Sequence, residues 1–155
     1  MSAIYFRPAR EDEFDAVAQT WVQGWMSPLD GAPATSPPDN LFEMLRARIP
    51  RELEASWILH VAVEQERVVG FSAIKPAENN LDQLYVDETL RSRGIGRQLL
   101  DNVKTQMPDG FWLRTHSRNL RAQCFYQREG MVHLRNEPHP RHPEELFSIF
   151  GWKQR

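Results

Sequence analysis

The sequence predicts an α/β fold on one mixed β-sheet, and three observations carry that expectation. Two strand-like stretches in the first half, residues 56–64 and 67–75, are separated only by Gln65-Glu66, which predicts an antiparallel hairpin. The second half alternates helix-like and strand-like segments, which predicts some parallel pairing. The helical segments at 14–25 and 94–107 each carry one apolar face, as helices packed on a sheet must.

Taken in order, Ile4-Tyr5-Phe6 reads as a short strand, stopped near Pro8. Phe14, Val17, Ala18, Trp21, Val22 and Trp25 then fall on one face at helical spacing. Glu11, Asp12 and Glu13 occupy the first turn, where carboxylates favour the positive end of the helix dipole. Residues 27–38 hold Pro28, Pro33, Pro37, Pro38 and Gly31 and read as a loop, long enough to act as a lid. Asn40 and Glu43 have capping-box spacing. The helix they open carries Leu41, Leu45 and Ile49 inward and is expected to end near Pro50. The hairpin follows; its turn lacks Asn-Gly or Asp-Gly, so its register stays open. Residues 81–86 form the next strand. Residues 94–107 form a helix with Ile95, Leu99, Leu100, Val103 and Met107 on one face. A strand at 111–115, a helix at 119–129 closed by Gly130, and strands at 131–135 and 146–150 complete the chain. The order is β-α-α-β-β-β-α-β-α-β-β: about seven strands and about four helices, with no internal repeat.

The 155 residues fit one domain spanning 1–155, and 41% apolar content supplies one core. A net charge of −2 argues against a nucleic-acid partner. The single cysteine, Cys124, cannot form an internal disulfide, so nothing requires an oxidising compartment. Residues 1–10 lack the basic region and apolar run of a signal peptide. No stretch approaches the roughly 18 apolar residues of a membrane span. The expectation is a soluble, cytoplasmic protein with no membrane partner.

The most informative segment runs from Leu84-Tyr85-Val86 through Arg91, Ser92, Arg93, Gly94, Ile95, Gly96 and Arg97 into an amphipathic helix. Backbone N–H groups at a helix start have no partners within the helix and bind anions, aided by the dipole. Glycine lets the backbone approach a diphosphate closely. Arg91, Arg93 and Arg97 add positive charge. A plain Gly-rich helix start with solvated arginines accounts for Gly94-x-Gly96 equally well. A P-loop is a poor fit because no Gly-Lys-Ser/Thr follows. A dinucleotide fingerprint is a poor fit because its third glycine position holds Leu99.

Arg91-x-x-Gly94-x-Gly96 after that strand resembles the Q/R-x-x-G-x-G/A signature of the GCN5-related N-acetyltransferases (GNAT). The segment from Asn119 to Met131, with Phe125-Tyr126 and Gly130, resembles the family's second recurring segment. The element order is similar from first strand to last. The resemblance implies acetyl-CoA as co-substrate, no metal, and direct attack by an acceptor amine in a ternary complex. It implies a diphosphate site on residues 92–97 and a cofactor contact from Asn119. A β-bulge and a splayed strand at 81–86 would offer the backbone of Leu84, Tyr85 and Val86 to the pantetheine arm and the acetyl carbonyl. Tyr126 would protonate the departing thiolate; packed beside Phe125, it also reads as a core aromatic. Asp82, Glu78 or water would serve as the base. The family shapes its acceptor site near Trp21, Trp25 and the proline-rich loop, although both tryptophans also read as core.

His116 is placed to line the acceptor cleft. His133, His139 and His142 read as surface histidines, since prolines interrupt them and no cysteine pair supports a metal. Cys124 reads as a small apolar packing residue. The compact chain leans towards a small-molecule amine as partner, with protein or peptide amines as the alternative. A noncatalytic acyl-CoA-binding module is the rival from another class, and the family also admits a homodimer.

Overall fold

The computed structural model describes residues 3–27, 37–91 and 93–153. Most of the proline-rich loop, including Pro28, Gly31 and Pro33, lies outside the described residues, as does Ser92; the expected lid therefore has no structural account.

The elements follow the order read from the sequence: β1 (Ile4–Pro8), α1 (Phe14–Met26), α2 (Leu41–Ala55), β2 (Ile58–Glu64), β3 (Arg67–Lys75), β4 (Asn80–Val86), α3 (Ile95–Gln106), β5 (Phe111–His116), α4 (Leu120–Arg128), β6 (Val132–Pro138) and β7 (Leu146–Trp152). The seven strands form one mixed sheet in the order β1-β2-β3-β4-β5-β7-β6. Among the described residues only the β4–β5 pair is parallel, bridged by α3; the other pairs are antiparallel.

Strand alternation divides the core between two faces. Leu59, Val61, Val63, Phe71 and Ala73 face α1 and α2, where Trp21 is 2% exposed and packs on Trp57 and Phe71. Ala62 and Val69 face Ile95 and Leu99 of α3. Leu81, Leu113 and Phe150 pack with Leu100 and Val103 of α3 and Tyr126 of α4.

Several boundaries differ from the expectation. Pro50 does not end α2 but sits inside it, and the helix continues to Ala55. Proline lacks the N–H that an interior position should donate. Leu45, Ile49 and Leu53 nevertheless all pack into the first core cluster, so burial on both sides of Pro50 outweighs the lost bond. Asn40 does occupy the N-cap of α2, but its side chain makes no capping hydrogen bond. Glu11, Asp12 and Glu13 form a separate 3-10 turn ahead of α1. The hairpin turn places both Gln65 (φ 51°) and Glu66 (φ 63°) in the left-handed region. That is the backbone of a two-residue turn matching the strand twist, adopted here without glycine. Ala62 faces Gly70 while Val63 faces Val68, so Val69 is an extra residue on β3.

Glu13 anchors the start of α1. Its carboxylate accepts both nitrogens of the Arg7 guanidinium at 2.7 Å and the Arg10 backbone N–H at 2.8 Å. The bond from Arg7 is the leading cause that lowers its pKa to about 2. A depressed carboxylate stabilises the fold above its unfolded pKa, and that stability fades as pH falls towards the folded value. Wild-type melting temperature should therefore drop between about pH 4.5 and 2 more steeply than that of Glu13→Gln. Parallel acid limbs in the two proteins would refute this role.

Candidate active site

The site begins where the sheet comes apart. β4 and β5 pair only at their start, with Asn80 opposite Trp112. Three bonds hold that apex: Trp112 N–H donates to the Asn79 carbonyl at 2.9 Å, Asn80 Nδ2 to the Trp112 carbonyl at 3.2 Å, and Trp112 Nε1 to the Glu78 carbonyl at 3.0 Å. Beyond it the strands diverge. On the other edge of β4, Ala73 faces Gln83 but Ile74 faces Leu81, so Asp82 is the bulged residue. The bulge expected in this strand is thus present and falls at Asp82.

The ladder alternation tells which backbone groups face the opening. Asp87 N–H donates to the Val69 carbonyl at 2.9 Å, making that a hydrogen-bonded pair. In an antiparallel ladder such pairs alternate, so Tyr85 and Gln83 bond to β3. Leu84 and Val86 turn their N–H and C=O groups into the wedge between β4 and β5.

A cleft of about 850 Å³ fills the α3–α4 side of the wedge. Its walls are residues 81–86 of β4, Leu113, Arg114 and Thr115 of β5, the start of α3 and one side of α4. Gly94 caps α3 with φ +82°, a conformation that favours glycine. Gln98 N–H is bonded to the Gly94 carbonyl at 3.1 Å, so the N–H groups of Ile95, Gly96 and Arg97 form the first turn, and none of them has a backbone partner among the described residues. The Ile95 side chain itself is 1% exposed and packs inward. A methyl at Gly96 would lie 3.4 Å from the Phe125 ring, an ordinary contact, so packing alone does not demand glycine there.

The arginines divide. Arg91 and Arg97 line the cleft. Arg97 lies 3.4 Å from Glu129 while remaining largely exposed. Arg93 instead pairs with Glu64 of β2 at 3.1 Å and does not line the cleft. Arg121 and Arg128 of α4 add charge that the motif did not reveal. Their i, i+7 spacing beside Asn119 was the available signal.

Asn119 is the N-cap of α4: its Oδ1 accepts the Ala122 N–H at 3.0 Å, while the residue also lines the cleft. The helix ends as expected at Gly130 (φ +92°), with Gly130 N–H bonded to the Gln127 carbonyl and Met131 N–H to the Tyr126 carbonyl. This fixes Tyr126, which is 9% exposed. Its ring meets Phe125 at 5.2 Å and Phe150 at 6.1 Å, and it lines the cleft. Tyr126 is therefore both a core aromatic and a wall of the cavity. Cys124 departs from expectation: it is exposed and lines the cleft rather than packing. It lies two residues, about 200°, from both Ala122 and Tyr126, which face the core.

A second cavity, of about 560 Å³, lies on the α1–α2 side. Trp21, Trp25, Arg48, His116 and Phe147 line it. Asp82, Gln83, Tyr85, Arg114, Thr115 and Asn119 line both cavities, so the two meet through the wedge. The Tyr85 ring packs on Phe71 at 5.8 Å and against Gly24, where an added Cβ would fall 2.1 Å from the ring. Its side chain thus belongs to the second cavity. Asp82 Oδ2 accepts the Trp57 indole N–H at 2.8 Å, which orients the carboxylate. Glu78 is exposed at the closed apex and lines neither cavity.

His116 lines the second cavity as anticipated. Burial is the leading cause that lowers its pKa below the ordinary 6.5; Glu145 opposes the shift, while Arg118 and His139 reinforce it. Its Nδ1 is buried without a hydrogen-bond partner among the described residues. His139 and His142 line the same cavity; His142 is exposed as expected, whereas His139 is half-buried and stacks 6.1 Å from His116. His133 lies apart on β6, bonded to Asn136. Among the described residues no group of three or more His, Cys, Asp or Glu is arranged to hold a metal. No helix among them is long and apolar enough to cross a membrane.

Comparison with known proteins adds independent findings. Residues 55–131 match the family model of the acetyltransferase (GNAT) domain. No curated protein matches the chain. YjaB from Escherichia coli, solved in its apo form, is similar with a TM-score of 0.75 at 20% identity, over 97% of each chain. A GNAT-family acetyltransferase from Staphylococcus aureus Mu50 gives 0.70 at 19% identity, over 96% of this chain and 98% of the other. The yncA protein from Salmonella typhimurium, solved with its cofactor acetyl-CoA, gives 0.72 at 13% identity, over 99% and 96%. At these identities the likeness is one of fold.

Proposed function

We propose that this chain, which carries a GNAT acetyltransferase domain, acts over residues 1–155 as a single N-acetyltransferase, moving acetyl from acetyl-CoA to a primary amine of a small molecule. The observation that carries the proposal is the wedge between β4 and β5. It offers an open backbone edge with a first-turn helix N-terminus on one face and a separate polar cavity on the other. Two reactants can therefore approach one point from opposite sides. A cytoplasmic location, where acetyl-CoA is made and used, belongs to the same reading.

The residues present fit acetyl-CoA. The N–H groups of Ile95, Gly96 and Arg97, with Gly94 shaping the turn, suit a diphosphate. Arg91 and Arg97 would complete that end, and Ser92, which lies between them in sequence, belongs to the same reading. The Leu84 and Val86 backbone suits an amide-bearing arm laid alongside as an extra strand, with Tyr85 holding the strand against α1. Asn119 would support the cofactor beside Tyr126. Acetyl-CoA supplies an activated acyl carbon on a good leaving group. The protein then brings an amine to it through the second cavity. A C–N bond forms and the C–S bond breaks. The amine proton passes to Asp82, directly or through water, and the Tyr126 hydroxyl protonates the sulfur. An N–H near Leu84 would stabilise charge on the acyl oxygen.

Asp82→Asn keeps an oxygen for the Trp57 indole and removes the base. It should lower kcat/KM at neutral pH by about 10²–10⁴-fold. The deficit should shrink as pH approaches the amine's own pKa, about 10 for an alkylamine. Unchanged activity across that pH range would remove Asp82 from the chemistry.

Acceptor-dependent CoA release tests the function as a whole. Small primary amines should stimulate release, and peptides bearing lysine or a free N-terminus should do so less. Acetyl-CoA binding with no release across all of them would instead support a module that binds acyl-CoA without catalysis.

A further inference from the structure

The second cavity distributes its charges unevenly. Its carboxylates have partners. Asp82 holds the Trp57 indole, Glu145 lies 3.5 Å from Arg118 and 4.0 Å from His116, and Glu144 lies 3.7 Å from His142. Its arginines do not. Arg48, Arg114 and Arg141 line the cavity, and none makes an ion pair with a carboxylate among the described residues. Two of them are held by aromatic rings instead. The Arg48 guanidinium sits 5.0 Å from the Trp21 ring centroid, and that of Arg114 sits 4.7 Å from Phe147. Both rings also line the cavity.

A guanidinium laid on a ring is fixed in orientation, yet its N–H groups still point outward from the edge. That fork matches the two oxygens of a carboxylate or the oxygens of a phosphonate. Positive charge in a concave site without a counter-charge is completed by a ligand that supplies one. The neighbouring histidine adds little: burial keeps His116 largely neutral near pH 7. Asp82, at the wedge, supplies the one carboxylate shared with the first cavity. The cavity thus has a negative group where an ammonium must arrive and unpaired positive groups beyond it.

We propose that the acceptor is an amine that also bears an oxyanion group, a carboxylate or phosphonate, gripped by Arg48 and Arg114 while the amine lies at Asp82. This rests on the acetyl-transfer reading. Arg48 of α2 and Arg114 of β5 approach the cavity from elements far apart in sequence, so no single segment reveals the pair. They act as specificity residues.

The test is calorimetric titration of the full chain saturated with CoA, using the protein amino acids and their carboxamides in parallel. 2-Aminoethylphosphonate forms the phosphonate arm. CoA release from acetyl-CoA is followed separately with the same compounds. At least one acid or phosphonate should bind about tenfold or more tightly than its uncharged counterpart, and the arm that responds names the oxyanion. Arg114→Gln should erase that preference without changing the melting temperature, because Arg114 is exposed. Arg48→Gln should also erase that preference, with partial recovery in Arg48→Lys. Equal binding of acids and carboxamides, discrimination that survives in both glutamine variants, or no binding of any compound would overturn the proposal. Binding of an anionic amine without CoA release would keep the Arg48–Arg114 oxyanion grip and refute acetyl transfer, and with it the role of that amine as acceptor. CoA release indifferent to the anionic group would do the reverse.

Discussion

Tyr126→Phe is expected to lower kcat by about 10²–10⁴-fold, the usual contribution of a positioned proton donor, while acetyl-CoA affinity stays within about twofold. The ring is 9% exposed and sits among Leu81, Leu113 and Phe150. Phenylalanine preserves that packing, so the variant should fold. Only the hydroxyl is removed. A thiol has a reference pKa near 8.5 and a tyrosine near 10, so proton transfer from the phenol to a departing thiolate costs only about 2 kcal/mol, and a hydrogen bond from the hydroxyl stabilises the thiolate as it forms. Loss of this donor should also remove a basic limb from the pH profile of kcat. If affinity and turnover fell together, Tyr126 would be a binding residue. If neither changed, it would be a core residue alone.

Gly96→Asp should weaken acetyl-CoA binding by about 100-fold, because a like charge facing a diphosphate costs several kcal/mol. Stability should move the other way or not at all. The position is in the first turn of α3, where a carboxylate interacts favourably with the helix dipole. A Cβ there meets only ordinary contacts with Phe125 and Val86. Lost binding with retained melting temperature would set ligand repulsion apart from misfolding. Unchanged binding by calorimetry would move the diphosphate away from this turn.

The sequence carried much of this because its signals were local. Apolar periodicity set α1 and α3, Gly130 marked the end of α4, and the two-residue gap at Gln65-Glu66 was short enough to force the hairpin. Gly130 was legible because the residue closing a helix needs a positive φ that glycine provides, whereas Gly94 was read for close backbone approach and its positive φ emerges only in the fold. What escaped depended on distant partners. Pro50 looked like a terminator, because nothing local shows Leu53 packing beyond it. Arg93 looked like part of the cradle, but Glu64, 29 residues earlier, draws it away. Cys124 looked like filler until α4 was oriented by Ala122 and Tyr126. His139, His142, Arg48 and Arg114 meet only through the fold, so spacing could not join them. The bulge and wedge at β4 came from family resemblance, since Asp82-Gln83 shows no local mark of either.

Direct transfer is the central claim, and isotopic labelling tests it. The protein is mixed with acetyl-labelled acetyl-CoA without acceptor and read by intact-protein mass spectrometry. The amine is then added and the label followed. The account predicts no acetyl on the protein before the amine arrives, and label on the amine nitrogen afterwards. Cys124, exposed in the cleft, is the nucleophile best placed to reveal a covalent route. Label accumulating on Cys124 and passing from it to the amine would contradict transfer in a ternary complex.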